Sequence, residues 1–86
     1  MIHRFVATLR ALAALPPAEL AGAEGRRLAA DCADAVRLEL DCPQQDFAPA
    51  QRAALHRLGD ALDDPRSSPE QLQRAVAAAA RAVGVA

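Results

Sequence analysis

The stretch AELAGAEGRRLAADCADAVRLELD, residues 18–41, lies in the longest proline-free run of the chain and has helical-looking segments on both sides. Projected at about 100° per residue, Ala21, Gly25, Leu28, Cys32, Ala35 and Val36 share one face, while Arg26, Arg27, Asp34, Arg37 and Asp41 fall largely elsewhere. That spacing predicts a central amphipathic helix over residues 18–40. Its polar side carries Glu24 with Arg27, Arg27 with Asp31 and Arg37 with Asp41 at helical intervals, each pair worth about 0.2–0.5 kcal/mol when exposed. The last turn departs from the pattern. Glu39 falls at the centre of the apolar face and Leu38 and Leu40 on its flanks, so the helix frays, Glu39 turns to solvent or an arginine, or the two leucines splay toward separate neighbours.

Working outward, Ile2, Phe5, Val6, Leu9, Leu12 and Ala13 recur at three and four and predict a first helix over 2–15, with Arg4, Thr8 and Arg10 solvated. Pro16 and Pro17 end it, since proline restricts the residue before it and offers no amide proton. So short a connection makes the first two helices neighbours. On the other side, residues 42–46 form a polar loop. Phe47, Ala50, Ala54, Leu55, Leu58, Ala61 and Leu62 then predict a third helix over 47–63, with Asp46 as its cap and Gly59 marking a close crossing. In DDPRSSPEQ, Ser68, Pro69 and Gln71 have the spacing of a capping box, the strongest boundary signal in the chain. A fourth helix over 69–83 then buries Leu72, Ala75, Val76, Ala79 and Val83. The fold expected is all-α, a compact four-helix bundle in a single domain.

Composition sets the quality of that bundle. The chain has 86 residues, 52% of them apolar and 24% charged, which suits one globular core. Alanine is about a quarter of it, Trp and Tyr are absent, and Phe5 and Phe47 are the two aromatics. Large apolar volume therefore rests on Leu, Val and two rings, a thin core that oligomerisation would help. Alanine-rich faces also let helices approach closely.

Charge excludes more than it suggests. A net charge of −1 and a pI near 6.0 argue against a domain that must neutralise several phosphates. All ten basic residues are arginine, a bias given no functional weight. The ends of the chain are basic and the middle acidic, so outer and inner segments can neutralise one another in the fold. No run approaches a membrane span, Arg10 interrupts the first apolar stretch, and Cys32 and Cys42 make no disulfide framework. A reduced bacterial cytoplasm is the expected setting.

Catalytic and metal chemistry finds few parts. His3, His56, Cys32 and Cys42 lack the short spacing of a zinc signature. His56 and Asp60 share a helical face, where a surface hydrogen bond is the commoner outcome. Cys32 reads as a small core residue. Cys42, beside Asp41 at a helix C-terminus, is in the wrong field for a reactive thiolate. No phosphate loop or nucleophile elbow is present, and Thr8, Ser67 and Ser68 are the only hydroxyl side chains. No enzymatic activity, no cofactor and no metal are expected.

The turn between Leu62 and Val76, with Asp64, Pro65, Gln73 and Arg74, resembles one helix-turn-helix of HEAT repeats. Stacking of that kind needs several repeats, and the first half holds no second copy at a matching period, so no family is assigned. By elimination the expected function is a non-enzymatic protein–protein interaction module: an adaptor, a regulatory or inhibitory subunit, or a self-assembling helical protein. Its partner would be another protein or a second copy, met through an apolar patch rimmed by Arg and Asp. The candidate surface is Leu38, Glu39, Leu40 and Cys42 at the end of the central helix, with Arg74 and Arg81 on the fourth. The alternative is a dimeric helix-turn-helix DNA-binding regulator; Gln73, Arg74, Ala77, Ala78 and Arg81 offer it little for groove readout. A small enzyme or metal-binding protein ranks below both.

Overall fold

The computed structural model describes residues 2–41 and 47–84, with side chains from Phe5 onward. It is all-α among those residues: α1 (Ile2–Ala14), α2 (Pro17–Leu20), α3 (Ala23–Asp41), α4 (Pro49–Asp63) and α5 (Pro69–Ala82). Four long helices form the expected bundle, and α2 is a single turn between the first two.

Packing runs in a ring, with α1 against α3, α3 against α4, α4 against α5, and α5 back against α1. Neighbours are antiparallel. Thr8 of α1 meets Cys32 of α3, and the short link from α1 enters the start of α3. A Cβ at Gly59 of α4 would lie 3.8 Å from Val36 of α3, while Arg52 near the start of α4 reaches the carbonyl of Leu40 at 3.5 Å. Gln51 Nε2 in the first turn of α4 donates to the carbonyl of Ala82, the last residue of α5, at 3.0 Å. The core between them holds Phe5, Leu9, Leu12, Cys32, Val36, Leu55, Leu58 and Val76, all fully buried. Thr8, expected in solvent, is part-buried and donates its hydroxyl to the Phe5 carbonyl at 2.9 Å.

The predicted central helix is interrupted at Ala21 and Gly22. Twelve residues separate Leu20 from Cys32, so an unbroken helix would turn Leu20 about 120° away from the core face. The break lets α2 fold back, and Leu20 ends 3% exposed in the core. Burying a leucine contributes about 1.5–3 kcal/mol, enough to offset the helical bonds lost at a glycine, where helix propensity is low. The corner is tied by Gly22 N–H to the Glu19 carbonyl (3.1 Å) and by Arg26 Nε and Nη2 to the Ala21 carbonyl at 3.2 and 3.1 Å. It also requires Gly25. A Cβ there would stand 2.2 Å from the Glu19 carbonyl oxygen and 2.6 Å from Leu20 Cα. The close approach thus falls at Gly25, whereas the contact at Gly59 is of ordinary van der Waals length.

Helix ends follow their residues. Ser68 Oγ accepts from Gln71 N–H at 3.1 Å and Gln71 Oε1 accepts from Ser68 N–H at 2.7 Å, with Pro69 at the first helical position. For α4 the cap position is Ala48, whose N–H donates to Gln51 Oε1 at 2.8 Å, so the helix begins two residues later than predicted. The expected cap, Asp46, lies outside the described residues.

Candidate functional site

An open groove of about 650 Å³ lies between α3 and the corner where α4 turns into α5, closed below by α2. Ala29, Ala30 and Ala33 line its α3 side; Leu20, Leu62 and Leu72 line the rest. The break before α3 makes this groove, because it carries Leu20 across the end of the bundle. Alanine makes it wide, since Ala29, Ala30 and Ala33 have only methyl groups to fill the space.

Charged groups form the rim and are engaged with the protein itself. Arg37 spans α3 and α4, donating through Nη2 to both carboxylate oxygens of Asp63 at 2.5 and 2.6 Å and through Nη1 to Asp34 at 3.0 Å. The Asp63 hydrogen bond and its charge push the Arg37 pKa further up. Arg26 is held on the Ala21 carbonyl at the opposite end. On the corner, Asp64 accepts from the Arg66 backbone N–H at 2.9 Å, and the Ser67 hydroxyl donates to the Ala61 carbonyl at 2.8 Å. The lining therefore aims no cluster of unengaged donors or acceptors inward. An apolar surface with a self-satisfied rim suits the side chains of another protein better than a polar small molecule.

The surface predicted from the sequence does not assemble as one patch. The last turn of α3 stays helical to Asp41 and its leucines splay: Leu38 is 59% exposed, whereas Leu40 packs on the core. Glu39 is corrected from surface to interior, being 3% exposed. Arg74 and Arg81 are exposed on α5, diagonally across the ring from α3, so they do not join Leu38. Cys42 lies outside the described residues. Sequence reading places Leu28, Cys32 and their face in the core, as they are, but does not single out Ala29 and Ala30 as one side of a groove; the run of small residues on α3 is the available signal.

Other chemistry stays sparse. Cys32 is fully buried, and desolvation pushes its thiol up to about 11 despite the contact with the Thr8 side chain that works the other way. Such a thiol is an inert core residue. His56 and Asp60 are both exposed on α4. Among the described residues no three His, Cys, Asp or Glu side chains are grouped to hold a metal ion, and no helix is long and apolar enough to cross a membrane. No protein-family model matches the chain, and no curated protein or solved structure matches it either.

Proposed function

We propose that this chain is a non-enzymatic protein–protein interaction module that binds through the groove between α3 and the α4–α5 corner. The observation that carries the reading is the groove's make-up: Ala29 and Ala30 opposite the half-buried Leu62 and Leu72, with buried Leu20 and Ala33 at its floor and Arg26, Asp34, Arg37 and Asp63 around the edge. Small residues let a partner's backbone come close, leucines supply apolar area, and charges of both signs select orientation. DNA binding has less support. Helices α4 and α5 lie antiparallel along their length, joined end to end by Gln51 and Ala82, whereas a DNA-reading helix-turn-helix crosses at roughly 90–120°.

Ala30 is exposed, so Ala30→Arg fills the groove without entering the core. Chemical cross-linking of the wild-type chain in its native host should yield a protein adduct that this variant loses. Identical adducts from both chains, or none from either, would overturn the proposal.

A further inference from the structure

The rim of the groove is bipolar along α3, and that polarity identifies an occupant. Arg26 stands at one end, near α2. At the other, Arg37 sits between Asp34 and Asp63, a cluster with one net negative charge. From Arg26 to Arg37 the helix advances about 16 Å, three turns. Resting on the interaction reading above, we infer that the occupant is a second copy of this chain, with the two α3 helices packed antiparallel about a two-fold axis near Ala30.

A two-fold interface brings the same surface from each copy together, so it must be complementary to itself. An antiparallel pairing of α3 meets this requirement. It sets Arg26 of each copy beside the Asp34–Asp63 end of the other, whereas a parallel pairing would oppose Arg26 to Arg26. At the axis Ala30 faces Ala30, and Ala29 and Ala33 beside it leave room for close helix approach. Each α3 then occupies the groove of the other copy, its alanines against Leu62 and Leu72. The charges are exposed and act on orientation, while the apolar lining supplies the association.

Charge reversal tests the pairing. Sedimentation equilibrium at tens to hundreds of micromolar should give twice the monomer mass for the wild-type chain. Arg26→Asp and Asp34→Arg should each weaken dimerisation at least tenfold, and the double reversal should restore it, with circular dichroism confirming that all three variants fold. In a Cys42→Ser background, Ala30→Cys should form an intermolecular disulfide on mild oxidation. A wild-type chain that remains monomeric, or a double reversal as weak as the singles, overturns the dimer. A monomer that still gives a foreign adduct lost in Ala30→Arg leaves the interaction reading standing, and a monomer that gives none removes both.

Discussion

Gly25 and Leu20 touch backbone to backbone: a Cβ at position 25 would stand 2.6 Å from Leu20 Cα and 2.8 Å from its carbonyl carbon. The single turn of α2 rests on α3 at this point, and the position of Leu20 in both core and groove follows from it. Gly25→Ala should therefore lower stability by about 1–3 kcal/mol in urea unfolding, since displacing backbone outweighs the gain in helix propensity. Gly59→Ala, also in a helix interior, meets only Val36 Cγ1 at 3.8 Å and should stabilise by about 0.5–1 kcal/mol. Equal effects at the two glycines would show that α2 does not dock as described.

The Cys32 thiol gives a stability profile with a definite sign. Its pKa rises from 9.0 to about 11 through desolvation on folding. Below pH 9 the thiol is protonated in both states, and the stability it contributes as a neutral group is fully present. Between pH 9 and 11 the unfolded chain loses the proton while the folded one keeps it, so stability falls as pH rises, by up to about 2–3 kcal/mol. Urea midpoints from pH 7 to 11 should show this decline, and Cys32→Ala should flatten it. In a Cys42→Ser background, alkylation of Cys32 at pH 8 should be slow in buffer and fast in denaturant.

The splayed end of α3 predicts opposite responses from two leucines two residues apart. Leu38→Asp adds charge at a side chain 59% exposed and should shift stability by no more than about 0.5 kcal/mol. Leu40→Ala removes a contact with the core and should lower stability by about 1–2 kcal/mol. Thermal unfolding of the two variants distinguishes this arrangement from a frayed helix end, where both changes would be small.

Ser68 accepts the Gln71 N–H and is reciprocated by the Gln71 side chain. Ser68→Ala should lower stability by about 1 kcal/mol, and Ser68→Asp should largely retain it, because a carboxylate also accepts at the N-cap. Loss of stability in both variants would show that the serine acts through packing.

How far the chain could be read in advance varies with the range of the forces concerned. The capping box of Ser68 and Gln71, the proline stops and the stripe of Phe5, Leu9 and Leu12 depend on neighbours within one or two turns, and local periodicity records them. The start of α4 was misplaced because Asp46 is the better capping residue by type, while Ala48 takes the position with help from Gln51. Periodicity puts Glu39 at the centre of the apolar face of α3, but its charge left open whether it turns to solvent; only the packing of the bundle decides that it stays inside.

The residues alone determined that the chain is all-α, that four long helices share one core, and that Cys32 and Val36 belong to it, because apolar spacing at 3.6 residues admits no other economical burial. Tertiary structure decided where the central helix breaks. Nothing local to residues 18–25 says that Leu20 gains more from the core than from continuing the helix, or that Gly25 is the residue on which the returning turn rests. The same break, by laying Leu20 across the end of the bundle, turned three alanines of α3 from an unremarked run of small residues into the side of a groove.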